Sequence, residues 1–195
     1  MQHEGRSMRE QILAAAIQLF AEYGYNAAPL RDIARIAGIQ AASIYHHYPN
    51  KQALLIEIME TYMLRLNTAL EHILKEYHDP QQRLYAAIAS HIRLHTNHKN
   101  EFFIIDTEIR ALEDKERTYI LSLRDTYEAL LQTILREGME QGVFRQSDVK
   151  VVSYAVIAMC TEVAAWFRPD GRLSVQQVIT IYSQLITQGM LAAPQ

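Results

Sequence analysis

The feature that most constrains the fold is residues 30–51, which predict two short helices joined at a single glycine. Ile33, Ala34 and Ala37 recur at helical spacing, so the first helix has one apolar face. The small side chain of Ala34 lets a second helix cross close to the first. Gly38 lies where the first helix must end and turn, because glycine adopts a left-handed backbone at little cost. The segment therefore predicts a tight helix–turn–helix corner.

The outer face of the second helix carries small or hydrogen-bonding side chains, namely Gln40, Ala41, Ser43, Tyr45 and His46. A helix that enters the major groove of DNA needs such side chains. Pro49 is predicted to end this helix, and Asn50 to cap the next one. Ordinary αα-corners show the same spacing, so from the pattern alone a DNA-binding corner and a purely structural one both remain open.

Composition indicates a helical protein that can bury a sizeable core. Among 195 residues there are only seven glycines and five prolines, which leaves few breaks and favours long helices. The net charge is −3, with +1 over residues 1–55 and −4 over residues 56–195, so the basic signal for nucleic acid is weak. The one cysteine, Cys160, excludes an intrachain disulfide and is expected to be a packed core thiol. No apolar run appears long enough to span a bilayer, so we expect a cytoplasmic protein without a membrane partner.

Capping signals and apolar periodicity divide the chain into helices. Ser7 and Glu10 form a capping box, and the helix after them is predicted to end at Gly24. Asp79 and Pro80 start another helix, and Ser174 opens the last one in a second capping box. The remaining helical stretches are predicted over residues 51–77, 81–98, 101–112, 114–141 and 149–167.

The last two helices are unusually apolar. Residues 149–167 are apolar nearly all round, and such a helix must be covered on all sides. Two helices of this kind at the end of a chain either pair with the same two helices of a second subunit or complete the core of one chain.

Three histidines, His91, His95 and His98, fall at helical positions i, i+4 and i+7 and share one side of their helix. Histidines one turn apart are able to chelate a metal ion. They are equally able to form the polar wall of a ligand cavity, sensitive to pH near neutrality. We expect no bound metal, and the sequence leaves the role of the three histidines open.

Residues 7–55 resemble the DNA-binding domain of the TetR family of transcriptional regulators. The match runs through residues 9–16, 19–25, 30–34, 37–39 and 44–54. The resemblance implies an all-α, dimeric, ligand-responsive repressor of about nine helices. It implies a three-helix DNA-binding domain over residues 6–66, with its motif at about 29–48, and a ligand-binding and dimerisation domain over residues 67–195.

By position in the family motif, Gln40, Ala41 and Ser43 would face base edges. Tyr45, His46 and Lys51 would face phosphates, with Arg31 nearby, while Tyr48 would be a core residue. Ala28 and Pro29 replace the hydroxyl residue that usually caps the first motif helix, so we expect that cap and its phosphate contact to be lost. The resemblance thus implies an operator DNA as one partner and a second copy of the chain, joined through the last two helices, as another.

Three short patches, residues 108–112, 124–128 and 166–172, resemble the C-terminal domain of TetR regulators of fatty-acid and sterol-side-chain breakdown, whose inducers are acyl-CoA thioesters. An acyl chain needs an apolar channel among helices, for which Phe102, Phe103, Tyr127 and Trp166 are candidates. The CoA phosphates need arginine forks at the mouth of this channel, for which Arg110, Arg124 and Arg168 are candidates. No cofactor and no catalytic residue are expected, and the protein is not expected to be an enzyme. Two alternatives remain: a regulator of drug efflux that responds to aromatic or cationic compounds, and an all-α metal-dependent enzyme that uses the histidine cluster.

Overall fold

The computed structural model describes residues 7–191 and confirms the all-α prediction. Nine α-helices and one 3₁₀ turn follow one another in the described part: α1 Met8–Tyr23, α2 Leu30–Ala37, α3 Ala41–Ile44, α4 Lys51–Glu76, α5 Pro80–Asn97, α6 Lys99–Thr107, the 3₁₀ turn Ile109–Ala111, α7 Asp114–Glu140, α8 Val149–Trp166 and α9 Val175–Met190. Residue 6, where the predicted first domain begins, and residues 192–195, at the end of the second, lie outside the described residues.

The predicted capping signals are confirmed. Ser7 and Glu10 form a reciprocal capping box at α1, and Ser174 and Gln177 form another at α9. Asp79 accepts from the N–H of Gln82 at 2.8 Å and so caps α5. Each cap satisfies backbone N–H groups that the first turn of a helix leaves without a partner.

The helix corner is present, but its second helix is shorter than predicted. Gly38 has φ +72° and ends α2, and the N–H of Ile39 returns to the carbonyl of Ala34 at 3.0 Å. Regular helix then runs only from Ala41 to Ile44 rather than to Pro49. Beyond it the backbone continues in tight turns, in which the N–H of His47 donates to the carbonyl of Ile44 at 2.9 Å. The missing cap at α2 is also confirmed, since Pro29 stands at its N-cap without a side-chain hydrogen bond.

The described chain forms two compact units. The first consists of residues 7–62 and 100–122, and the second of residues 63–99 and 123–191. In the first unit, α1 packs against α2 and α2 against α3, over a core that includes Ile12, Phe20, Ile33, Ile44 and Leu55. In the second unit, α5 packs against both α8 and α9.

The apolar helix α8 is only partly covered within the chain. Its core face includes Val156, Val163 and Cys160, so the predicted core thiol is confirmed. Burial raises the pKa of the Cys160 thiol to about 12. Its other face is exposed, and Val151 keeps 64% of its surface accessible. By length and composition alone, α8 is long and apolar enough to cross a membrane. The expectation that no apolar run of the sequence reaches this length is therefore wrong. The helix nevertheless includes Lys150 and Glu162, and its apolar inner face packs on α5.

Two contacts hold the second unit together at its ends. The guanidinium of Arg83 pairs with Glu137 and also donates to the carbonyls of Tyr77 and Leu74, the latter at 2.9 Å, so it joins α5 to α7 and to the end of α4. At the other end the ring of Phe144 lies against the backbone of Gly138. A methyl group at Gly138 would meet ring atoms at 2.1 and 2.3 Å.

Candidate functional site

The turn and the short helix α3 present the surface on which the sequence placed DNA contacts. Gln40, Ala41 and His46 are exposed and Ser43 is half-buried. Tyr45 is 59% exposed, whereas Tyr48 is 2% exposed, as predicted for an outer and a core position. Arg31 is exposed on α2. These side chains form a small, mostly uncharged polar surface of the kind that reads base edges through hydrogen bonds and methyl contacts.

Buried anchors fix the orientation of this surface. Ile44 and Tyr48, on either side of the exposed residues, are both buried. Arg9 on α1 pairs with Glu57 on α4 at 2.7 Å, and its guanidinium lies 5.2 Å above the ring of Tyr48. The turn after α3 is therefore held between α1 and α4, which limits how far the exposed side chains can move.

Lys51 has partners within the protein that the sequence did not indicate. Its ammonium donates to the carbonyls of Tyr25, Asn26 and Ala28 at 2.7, 3.4 and 3.2 Å, and it lies 4.3 Å from the centre of the Tyr25 ring. Partial burial lowers its pKa, while the nearby carboxylate of Glu108 acts in the opposite direction. Because an ammonium has three N–H donors, this geometry leaves none for a phosphate. Lys51 ties the start of α4 to the loop before α2.

Three more exposed residues lie within this motif, Arg35, Ala42 and His47, and the sequence reasoning did not single them out. The side chain of Arg35 is 73% exposed and lies 3.7 Å from Asp32. Helical periodicity was a usable signal for Arg35, because position 35 is one turn after Arg31. Ala42 and His47 gave no such signal, because the short α3 and the turns after it do not follow one helical period.

Three of the predicted effector-binding residues belong to the first unit. Phe102 is half-buried and Phe103 exposed on α6, and Arg110 is exposed on the 3₁₀ turn. The segment that carries them is tied to α4. The side-chain amide of Gln52 can be oriented so that both its nitrogen and its oxygen form hydrogen bonds. In that orientation Gln52 donates to the Glu113 carboxylate at 3.1 Å and accepts from the Glu113 N–H at 2.9 Å.

The other four lie in the second unit. Arg124 is half-buried and Tyr127 buried on α7, whereas Trp166 and Arg168 are exposed at and just after the end of α8. Trp166 packs on Tyr182, with ring centres 6.3 Å apart. Of the seven, Tyr127 borders a small cavity in the helical core.

His91 and His95 are buried, and their rings stack 3.9 Å apart. The two nitrogens of His91 lie 2.7 Å from the hydroxyl of Tyr127 and 2.9 Å from that of Thr161. Nδ1 of His95 lies 3.0 Å from the carbonyl of His91, so it must carry the proton. Burial lowers the pKa of both rings, that of His95 to about 4, and keeps them neutral at physiological pH.

This arrangement differs from a metal centre. His98 stands at the end of α5, where its Nδ1 lies 3.3 Å from Arg65, apart from the stacked pair. Within residues 7–191 no three metal-ligating side chains gather at one point. His91 and His95 contribute polar groups to the interior of the second unit. Their lowered pKa values contradict the expected sensitivity to pH near neutrality, because burial penalises the charged rings.

Two cavities of the second unit differ in kind. A groove of about 940 Å³ runs along α4 and α5, lined by residues that include His72, Tyr77, Tyr85 and Arg93, and by none of the seven predicted effector residues. A small cavity of about 10 Å³ lies among α5, α7 and α8, bordered by His91 and Tyr127. The groove has the volume of a ligand site, whereas the small cavity holds at most about one water molecule.

Two family models match the chain. The model described as bacterial regulatory proteins, tetR family, matches residues 12–58. The model described as tetracyclin repressor-like, C-terminal domain, matches residues 77–190. Together they cover both the helix corner and most of the remaining helices.

Among curated proteins, the transcriptional repressor KstR2 of Mycobacterium tuberculosis is 30% identical over 187 residues, which cover 94% of this chain and 93% of the relative. Among solved structures, the TetR family regulator PfmR of Thermus thermophilus is 36% identical with a TM-score of 0.84, over 91% of this chain and 97% of that one. The structure of AibR in complex with isovaleryl coenzyme A and operator DNA is 27% identical with a TM-score of 0.83, over 92% and 97% of the two chains.

Proposed function

The chain belongs to the TetR family of transcriptional regulators, and from this premise we propose that it represses transcription until an acyl-CoA thioester releases it from its operator. The observation that carries the proposal is the exposed polar surface at α3, held on a rigid corner, in a chain whose relatives are regulators. Because these relatives act on bacterial DNA, we place the protein in the cytoplasm.

For the DNA interface we propose two groups of contacts. Gln40, Ala41 and Ser43 read base edges, since an amide pairs with adenine and a methyl group contacts thymine. Arg31, Tyr45 and His46 contact phosphates. Lys51 is left out of this set, because its donors are used within the protein.

The proposed dimer forms through α8 and α9. Their exposed faces carry large apolar side chains, among which Val151 is 64% and Leu185 58% exposed. A second copy that packs on these faces would cover them in an isologous four-helix interface. We expect Leu185→Glu to shift the protein to monomers in analytical ultracentrifugation, whereas Gln184→Glu, a neighbouring exposed change, should leave the dimer intact.

The effector class is supported by the relatives and by the interior of the second unit. AibR, of similar fold, was solved with isovaleryl coenzyme A. In this chain the helices of the second unit place aliphatic side chains around the polar pair His91 and Tyr127. An acyl thioester needs such a mostly apolar site with a few polar groups. The α3 helices of the two subunits must lie about 34–36 Å apart to read both half-sites of an operator together. An effector that binds more tightly to a state with another spacing lowers the operator affinity, by the difference between its binding energies for the two states.

Fluorescence anisotropy with labelled DNA from upstream of the gene tests the proposal. We expect sequence-dependent binding that weakens with salt and is reversed by an acyl-CoA but not by free CoA. Gln40→Ala should reduce discrimination among operator variants by about 1–3 kcal/mol at one base pair. Binding that is equal for all sequences would refute the regulatory function.

A second effector class is kept because of the groove along α4 and α5. Tyr77 and the carboxylates of Glu76 and Asp79 line it, and aromatic rings with carboxylates suit aromatic cations. The same anisotropy assay distinguishes the classes. Release by an aromatic cation such as ethidium, with no response to acyl-CoAs, would assign the protein to the drug-responsive class instead.

A further inference from the structure

One buried histidine links three helices of the second unit through hydroxyl groups. His91 of α5 lies within hydrogen-bond distance of Tyr127 of α7, at 2.7 Å, and of Thr161 of α8, at 2.9 Å. His91 and Tyr127 are buried and Thr161 is half-buried. The hydroxyl of Tyr127 is therefore the inner end of this short hydrogen-bonded chain.

The hydrogen atoms of this chain can be counted. Burial lowers the pKa of His91 and raises that of Tyr127, so the ring is neutral with one N–H and the phenol keeps its proton. The three side chains thus carry three hydrogens, of which their two mutual hydrogen bonds use two. Whichever way the bonds run, one hydroxyl hydrogen remains. Among the described residues neither hydroxyl has a further hydrogen-bond partner.

The surroundings restrict what can accept that hydrogen. The small cavity beside Tyr127 is otherwise bordered by apolar side chains and a thiol, namely Ala87, Ile88, Leu131, Val156, Ile157 and Cys160. An ion brought into such a place loses its hydration, which is costly. A neutral acceptor without a proton of its own satisfies the remaining hydroxyl and avoids that cost.

We propose that Tyr127 is the residue that recognises the thioester carbonyl of the effector, by donating a hydrogen bond to its oxygen. In the bound state Thr161 donates to Nε2 of His91, Nδ1–H donates to the Tyr127 oxygen, and Tyr127 donates to the carbonyl. The inference rests on the proposed function, because it assumes that the effector is an acyl-CoA. It predicts that a neutral thioester binds more tightly than a free carboxylate of the same chain.

The acyl chain needs more room than the small cavity offers. A cavity of about 10 Å³ does not hold an alkyl group, so Leu131, Val156 and Ile157 must move apart when the effector enters. In the bound state this cavity is therefore enlarged. An effector that binds only the form with the enlarged cavity increases the fraction of protein in that form. Release from DNA requires such a difference in effector affinity between two forms of the protein.

Matched ligands test the role of the carbonyl directly. Isovaleryl-CoA, octanoyl-CoA and palmitoyl-CoA are each compared with the S-alkyl thioether of the same chain, which lacks only the carbonyl oxygen. Dissociation constants are measured by isothermal titration calorimetry on the wild-type protein, on Tyr127→Phe and on Tyr119→Phe. Tyr119→Phe is the matched control, because it removes an exposed tyrosine hydroxyl, bonded to Glu60, from the same helix α7.

We expect the wild type and Tyr119→Phe to bind the thioester about tenfold more tightly than the thioether, and Tyr127→Phe to bind both equally. Equal binding of thioester and thioether by the wild type overturns the inference, even if Tyr127→Phe does not fold. A thioester preference that survives in Tyr127→Phe also overturns it. In both cases acyl-CoA binding itself would leave the proposed function intact, whereas no binding of any acyl-CoA would refute the effector class as well.

Discussion

The contact between Gly138 and Phe144 permits a quantitative test of the packing. A Cβ atom at position 138 would lie 2.1 Å from Cδ2 and 2.3 Å from Cε2 of the ring. Carbon atoms in contact are about 3.5–4.0 Å apart, so the ring would have to retreat by about 1.5 Å. The ring has little freedom to do so, because Phe144 is 1% exposed and its N–H donates to the carbonyl of Gly138 at 2.9 Å.

Gly138→Ala should therefore destabilise the protein. Overpacking typically costs about 1–3 kcal/mol, and complete loss of the ring from its site would cost about 3–5 kcal/mol. The intrinsic preference of a helix for alanine over glycine returns about 0.5–1 kcal/mol. We expect a net loss of about 2 kcal/mol in the free energy of unfolding, which lowers the melting temperature by roughly 4–8 °C for a chain of this length.

Urea unfolding followed by circular dichroism, at one fixed protein concentration, provides the measurement. Gly189→Ala in α9 is the control, because a Cβ there meets nothing within 4 Å and should be neutral or slightly stabilising. In the double variant Gly138→Ala with Phe144→Leu, the smaller side chain should recover about 1 kcal/mol relative to the sum of the single changes. Stability of Gly138→Ala equal to that of Gly189→Ala, or strict additivity in the double variant, would refute the steric argument.

Four further predictions concern polar side chains. Lys51→Met should lower the free energy of unfolding by about 1.5–3 kcal/mol, because three carbonyls lose a charged donor. It should leave the slope of log operator affinity against log salt unchanged, whereas Arg31→Met should reduce that slope by about one. A reduced slope in Lys51→Met with an unchanged slope in Arg31→Met would show that Lys51 contacts a phosphate and Arg31 does not. Arg83→Met should cost about 2 kcal/mol in urea unfolding through loss of its ion pair and carbonyl partners, and a loss below about 0.5 kcal/mol would contradict this. Because the pKa values of His91 and His95 are lowered, that of His95 to about 4, the unfolded chain binds more protons below pH 6.5. Stability should therefore be full above about pH 6.5 and fall toward pH 4, by up to about 1.4 kcal/mol per pH unit for each histidine, and a flat profile of urea midpoints would contradict it.

Features that depend on near neighbours in the chain were predictable. The capping boxes at Ser7 and Ser174 each involve a partner three residues away, and both are present. The turn at Gly38 depends on the backbone freedom of one residue, and the burial of Tyr48 against the exposure of Tyr45 follows from a local match to the family motif. Such signals lie within a short window of sequence, so the helices and the corner could be derived from it.

Features that depend on distant partners were not predictable. Lys51 binds carbonyls 23 to 26 residues earlier, and His91 meets hydroxyls 36 and 70 residues later. No periodicity encodes such pairs. The seven predicted effector residues were likewise chosen by residue type. The structure distributes them over two units, and of the seven only Tyr127 lines the small cavity. The short α3 also escaped prediction, because 3₁₀-type turns and helix share similar residue preferences.

The exposed apolar face of α8 has a consequence for the amount of protein in a cell. A copy without a partner presents Val151, Tyr154 and Trp166 to chaperones and proteases, whereas a paired copy hides them in the proposed dimer. Slow synthesis then yields mostly single copies that are degraded, and faster synthesis yields pairs that persist. The level of active repressor should thus rise more steeply than its rate of synthesis. Repression then sets in above a threshold rate of synthesis, which binding to the operator alone would not produce.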